Sequence, residues 1–508
     1  MDRSTVIVWL RHDLRLEDNT ALQTALHSAS SRGGAVVPAF VWAPEEEGEW
    51  APGAASRWWL HRSLAGLSTA LEQTGSNLVI RKGSSLEVLT ALARETDAGA
   101  VHFNRRFEPL AAARDRRAMV ALTEAGVEVR AFNDSLLFDP DEIRNRAGEP
   151  FKVFTPFWKH LLTLEDPGTR IPRPKRIAAP PAGLPRSLAV DDLGLEPAKD
   201  WASGLRESWT PGEAGAHAQL RHFLAGAHGV YATGRDRPDV AGTSRLSPHL
   251  HFGELSPRRV WYEVARAGLR HGATRGHEAA RSPARSRHGA THTRGDHPGA
   301  ESDPFLRQLV WREFSYHLLH HFPHTATRPL REAFERFPWR EDTEGLCAWT
   351  QGKTGYPIVD AGMRELWATG WMHNRVRLIV ASFLVKDLMV HWIEGARWFW
   401  DTLVDADLAN NTMGWQWTAG SGADAAPYFR IFNPVGQGRK FDPDGAYVRR
   451  WVPELAALPA EHIHEPWRAP AAVLRAASIE IGKTYPAPVV DHARARDRSL
   501  AAFRKIGK

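Results

Sequence analysis

Five short runs of apolar and β-branched residues open the chain: Thr5–Leu10, Ala35–Trp42, Asn77–Arg81, Gly99–Asn104 and Val127–Phe132. Such runs, separated by polar stretches, read as strands. Between them lie segments with helical spacing of apolar positions, such as Ser56–Thr74 and Ser84–Thr96. The alternation predicts a parallel, doubly wound sheet covered on both faces, an α/β domain over residues 1–134. No GxGxxG follows the first strand, so the dinucleotide fingerprint is absent.

Residues 135–205 read as a connector. "RIPRPKRIAAPPAGLPRS" is proline-rich and basic, which suits an extended path over the surface. From residue 206 to 508 the pattern turns helical. In Phe305–His320, Leu306, Leu309, Val310 and Phe314 share one face, and Gln308, Trp311, Arg312 and Ser315 share the opposite one. A face built of those four residues predicts a cavity or groove wall. Residues 268–303 break the period and are rich in arginine and histidine, which predicts disorder. Their histidines fit no helical i, i+4 ligand pair. Attraction to phosphate is the stronger alternative to metal binding, and a passive insertion is the simplest reading.

At 508 residues the chain exceeds one ordinary core. No apolar run approaches a membrane span, and the N-terminus lacks a secretory pattern. One cysteine, Cys347, excludes intrachain disulfides and cysteine-ligated clusters. A cytoplasmic location is the default that follows. The net charge of +6 permits nucleic-acid binding without requiring it. The 21 tryptophans change the picture more, because a core needs far fewer.

Three stretches carry candidate chemistry. "GTSRLSPHLHFGELSPRRVW" places Thr243, Ser244, Arg245 and Ser247 at a helix start, a possible phosphate site whose plainer alternative is an ordinary capped helix. In "GYPIVDAGMRELWATGWMHNRVRLIVASFLVKDLMVHW", Asn374, Arg375 and Arg377 fall in one turn among apolar residues. A buried arginine needs a partner, and Asp405 and Asp407 downstream offer one. That pair, with the amides and indoles of "DADLANNTMGWQW", suits a flat heteroaromatic ligand such as a flavin.

Taken with "FLRQLVWREFSYHLL" and "ADAAPYFRIFNPVGQGRKFD", these stretches resemble the photolyase/cryptochrome family over nearly the whole chain. "SRWWLHRSL" and "FNRRFEP" look most like the bacterial cyclobutane-dimer photolyases related to plant cryptochromes, the class III type. The resemblance implies a Rossmann-like α/β domain, a long connector and an all-helical FAD-binding domain. It implies light-driven splitting of cyclobutane pyrimidine dimers in DNA, a carbon–carbon lyase activity, with blue-light signalling as the alternative. A cytoplasmic monomer that joins the nucleoid on DNA, with no metal, is the implied form.

By the same resemblance, Tyr231, the run Thr243, Ser244, Arg245, Leu246 and Ser247, together with Arg377, Asp405, Ala406, Asp407 and Asn411, match FAD-binding positions. Asn411 matches the residue facing flavin N5, where plant cryptochromes carry an acid. An amide there leans towards repair. Trp415, Trp392 and Trp339 match an electron-transfer triad; core packing is their plainer reading. Trp311 and Trp417 match the pair around a flipped-out lesion, with Gln308 and Asn374 against it. Arg235, Arg312, Ser315, Arg375 and Gln437 are the further expected DNA contacts. Most dimer photolyases have Glu where Gln308 stands. The (6-4) enzymes carry two histidines at positions matching Asn374 and Leu378, and neither is His here. An antenna folate (5,10-methenyltetrahydrofolate), or alternatively a deazaflavin, is expected between the domains near Glu108, Trp58 and Trp59; helix–sheet packing is the alternative for the two tryptophans.

Overall fold

The computed structural model describes residues 4–506 apart from 166, 169, 180–184, 280–302 and 425–428, and the backbone alone for 269–279. Strands β1 (Thr5–Leu10), β2 (Val36–Trp42), β3 (Val79–Lys82), β4 (Ala98–Asn104) and β5 (Glu128–Phe132) form one parallel sheet in the order β3-β2-β1-β4-β5. Ile7 pairs in register with Val37 on one side and Val101 on the other.

Alternation along β1 divides the core. Val6, Val8 and Leu10 pack with residues of α1 (Thr20–Ser30) and α2 (Ala54–Glu72). Ile7 and Trp9 pack with residues of α3 (Ser85–Glu95) and α4 (Pro109–Glu124) on the other face. Both faces are apolar because both are covered, which is why the strands read as continuous apolar runs.

The strand order reverses between β1 and β4, where such sheets commonly bind ligands beyond the strand ends. Here protein fills that place. Arg11, 4 % exposed, pairs with Asp115 at 3.1 Å and donates to the Asn104 carbonyl. Arg106 pairs with Glu108 at 2.9 Å and Glu47 at 2.6 Å.

The connector is less extended than its composition predicts. It contains α5 (Phe154–Leu161), whose Phe154, Phe157, Trp158 and Leu161 are buried against the helical part. Further on, Ala178 and Leu188 hydrogen-bond to β2 and β3, so the basic stretch runs back along the sheet.

The helical part is built of α6 (Glu213–Ala225), α7 (Pro257–Ala279), α8 (Pro304–His321), α9 (Thr343–Thr350), α10 (Pro357–Thr369), α11 (Asn374–Ser382), α12 (Trp392–Thr402), α13 (Leu408–Ala419), α14 (Pro434–Phe441) and α15 (His492–Ile506), with shorter helices between them. The stretch expected to be disordered from 268 begins as the continuation of α7; residues 280–302 lie outside the described residues. Helix α13 packs against α8, α11 and α12, and so gathers three elements around itself.

The two domains share a tight seam. Leu14 donates to the Phe252 carbonyl at 3.2 Å, and Arg15 to the Gly253 carbonyl at 2.8 Å. Gly253 has φ +62°, and a Cβ there would lie 2.0 Å from the His12 carbonyl oxygen, so no other residue fits.

Candidate functional site

The run Thr243–Ser247 forms the turn into the short helix Ser247–His251. Leu246 anchors it in the core at 1 % exposure, and the Ser244 carbonyl accepts from Gln219 at 2.7 Å. Arg245 sits in the left-handed region, φ 53°, a strained backbone that persists where surroundings over-determine it. The turn lays its guanidinium over Trp209 and Trp371, 4.1 and 5.2 Å from the ring centroids. Burial lowers its proton affinity and the Glu365 charge opposes that, though among the described residues no carboxylate lies within ion-pair distance. A desolvated cation without a direct ion pair fits an anionic ligand, and on the same turn Thr243 is half-buried and Ser247 exposed. Tyr231, 8 % exposed, is boxed edge-on by Phe223 and Phe305.

Helix α11 supplies the second part. Arg377 donates to both oxygens of Asp405, at 2.8 and 3.1 Å, and to the Met372 carbonyl at 2.8 Å. Next to Asp405 lies Ala406, 1 % exposed, and then Asp407, which caps α13 by accepting from the Asn410 backbone at 2.8 Å. The other Asp407 oxygen accepts the Tyr316 hydroxyl, and His251 Nδ1 lies 3.7 Å away. Burial pushes the Asp407 carboxyl up, but His251, Arg312 and Tyr316 hold it well below the ordinary range. Asn411 donates its amide to the Ala396 carbonyl at 3.0 Å. A second N–H and the carbonyl oxygen are left to offer a ligand. An anion-seeking turn, a buried charge pair and a partly free amide together fit the diphosphate and ring edge of FAD.

Tyr316 and His251 were not singled out from the sequence. Tyr316 lies 91 positions from Asp407, and no local spacing announces the pair. The i, i+4 placement of Arg312 and Tyr316, whose guanidinium lies 4.9 Å over the ring, was the available signal.

Of the three tryptophans expected to carry electrons, two are buried and one is partly buried. Trp415 on α13 is 2 % exposed, Trp392 at the start of α12 is 1 % exposed, and Trp339 is partly buried. Trp415 is hemmed in by Phe399 at 5.0 Å, Trp349 at 6.1 Å and the backbone of Gly395.

On the outer face, Trp311 stacks on Phe154 at 3.7 Å and 5°. Gln308, one turn earlier on the same face of α8, is half-buried. Trp417 is half-buried and donates to the Asp424 carbonyl at 3.2 Å. Asn374 is exposed at the start of α11. Arg375 is paired with Asp236 at 2.6 Å. Arg235 lies over Tyr231, and Gln437 is half-buried on α14.

Two expectations for α8 need correction. Arg312 and Ser315 do not face a groove: they are 9 % and 1 % exposed. Arg312 is turned inward onto the Ser135 carbonyl and Glu313, and Ser315 bonds the Trp311 carbonyl. Trp58 and Trp59 have no exposed ring surface. Trp59 donates to Glu254 at 2.8 Å and packs on Trp209 and Phe252, so it joins the domains. Glu108 is held by Arg106. Away from these residues, Glu17, Glu213 and His217 bring their ligand atoms within 4.8 Å of one another. Arg170 and Arg259 already pair with Glu17 there, which opposes a cation.

Comparison with known proteins gives a consistent result. Residues 6–175 match the model of the DNA photolyase family, and residues 305–505 match that of the FAD-binding domain of DNA photolyase. The chain is 46 % identical over 504 residues to a deoxyribodipyrimidine photo-lyase of Agrobacterium fabrum, covering 99 % of this chain and 98 % of that protein. It is 42 % identical over 497 residues to Cryptochrome-1 of Arabidopsis thaliana, covering 96 % of this chain and 69 % of that protein. A crystal structure of a bacterial class III photolyase from Agrobacterium tumefaciens superposes with a TM-score of 0.90 at 44 % identity, covering 100 % of this chain and 98 % of that one.

Proposed function

We propose that this chain, which belongs to the photolyase/cryptochrome family, is a deoxyribodipyrimidine photo-lyase that repairs cyclobutane pyrimidine dimers in UV-damaged DNA. Reduced FAD, held by the residues below, would supply the light-driven one-electron chemistry that opens the cyclobutane ring with no net redox change. The protein binds, orients and shields. Thr243, Ser244, Arg245, Leu246 and Ser247 hold the diphosphate, with Tyr231 beside it. Arg377, Asp405, Ala406, Asp407 and Asn411 hold the ring system. Trp311 and Trp417 flank the flipped-out lesion, Gln308 donates a hydrogen bond to its carbonyl edge, and Asn374 contacts it. Arg235, Arg375 and Gln437 contact the flanking strand. Trp415, Trp392 and Trp339 carry electrons inward. An antenna, a folate or in its place a deazaflavin, docks beside Glu108 on the domain seam. The protein acts as a cytoplasmic monomer.

The observation that carries repair over signalling is Asn411. It is an amide, one N–H of which is donated to Ala396, so the site has no acid at that position to protonate the ring. The test is light-dependent loss of thymine dimers from an oligonucleotide by the purified, reduced protein. Dimers should disappear under blue light and persist in the dark. Intact dimers alongside normal photoreduction would favour the photoreceptor reading.

A further inference from the structure

His391 precedes α12 and caps it: Nδ1 accepts from the Ile393 N–H at 3.1 Å. The same imidazole touches the two outer tryptophans of the proposed electron route. Its centroid lies 5.0 Å from Trp339 at 65° and 5.7 Å from Trp392 at 30°. The surrounding chain is fixed. Met389 is in the left-handed region at φ 60°, and its carbonyl accepts from the Arg340 N–H at 2.8 Å. That bond ties the segment carrying Trp339 to the segment carrying His391.

We propose that His391 is a positioning residue of the electron route: its ring fills the space between Trp339 and Trp392 and couples the two indoles. The inference rests on reading Trp415, Trp392 and Trp339 as the route. In the step concerned, oxidised Trp392 takes one electron from Trp339 and returns to its neutral form. Trp339 is left oxidised and loses its indole proton to water, until a thiol in solution reduces it. The imidazole gains and loses nothing; it supplies contact. Burial lowers the His391 proton affinity, Arg397 acts the same way, and Glu394 opposes them. The ring is therefore uncharged at neutral pH and does not repel the positive charge on Trp392.

Two variants separate ring from cap. His391→Asn keeps a capping side chain and removes the ring; His391→Phe keeps a ring and removes the cap. Flavin-loaded proteins would be followed by transient absorption, by photoreduction with thiol, and by thermal unfolding. His391→Asn should unfold like the parent and show the same initial quenching of flavin fluorescence. Its yield of long-lived tryptophan radical should fall severalfold. His391→Phe should unfold at a lower temperature yet keep a yield near the parent's. A parent-like yield in His391→Asn would overturn the proposal. So would an equal loss in both variants, which would assign the effect to the cap. Trp339→Phe is the control: undiminished photoreduction there would reject the tryptophan route itself, an outcome distinct from failure of the bridge.

Discussion

Gly395 offers a direct test of where Trp415 sits. A Cβ built on this glycine lies 2.1 Å from Cη2 of the Trp415 ring and 2.5 Å from Cζ2 and Cζ3, where ordinary contact begins at 3.4 Å. The indole would have to retreat by more than an ångström. It has nowhere to go, since it is 2 % exposed with Phe399 and Trp349 around it. Overpacking of this kind costs about 1–3 kcal/mol. Alanine in place of glycine inside a helix returns about 1 kcal/mol. The net for Gly395→Ala should be a loss near the upper part of that difference, about 1–2 kcal/mol, read from urea unfolding at constant m-value. Gly268→Ala, in α7 with nothing within 4 Å of the added carbon, should instead stabilise by roughly the helix-propensity gain. Photoreduction should slow in Gly395→Ala, because the displaced ring is the first member of the proposed electron route. A Gly395→Ala protein that gains stability like the Gly268→Ala control, with unchanged photoreduction, would refute the close contact of α12 and α13.

Asp405→Ala should lower flavin content on purification, because Arg377 loses both of its carboxylate contacts; parent-like flavin absorbance would reject that pairing as a cofactor clamp. Gln308→Ala should impair repair, since loss of one hydrogen bond that strengthens in the transition state costs about 10²-fold or more; Gln308→Glu should raise the quantum yield modestly, and an Ala variant that repairs and binds like the parent would remove Gln308 from the lesion. Burial pushes the Glu313 carboxyl up to about 7. Between its unfolded pKa and that value the folded state holds the extra proton, so stability falls as pH rises, by about 1.4 kcal/mol per unit. Glu313→Gln should therefore raise the melting temperature at pH 8 and leave it unchanged near pH 4, and equal shifts at both would contradict this. Asp236→Asn should tighten DNA binding and steepen its salt dependence, because Arg375 would be released to a phosphate; filter binding across a salt series would show it.

The sheet was legible in the sequence almost residue by residue. Buried parallel strands are continuous apolar runs, and Val36–Trp42 and Ala98–Asn104 differ by one residue from the expected starts. On α8 the apolar face was read correctly, with Leu306 and Phe314 fully buried. The opposite face was misread in part, because Arg312 and Ser315 find partners that spacing cannot reveal: the distant Ser135 carbonyl and a backbone oxygen within the helix itself. α5 was hidden by the proline content of the stretch around it. The continuation of α7 was hidden by its polar composition. The Arg377–Asp405 pair could be anticipated because a buried arginine demands a partner. His251 and the Tyr316–Asp407 contact could not, since their partners are brought close only by the fold.

The filled cleft between β1 and β4 sets a condition on any chromophore lodged there. Arg106 is neutralised by Glu108 and Glu47, and Arg11 by Asp115. A guest displacing Glu108 would leave Arg106 with Glu47 in place of two carboxylates, and losing a buried charge contact carries a penalty. Only counter-ion exchange avoids that penalty. A molecule bearing its own carboxylates can take the place of the displaced acid and leave the charge balance untouched. A neutral ring system of the same size cannot. Charge, ahead of shape, decides what this side of the sheet can admit.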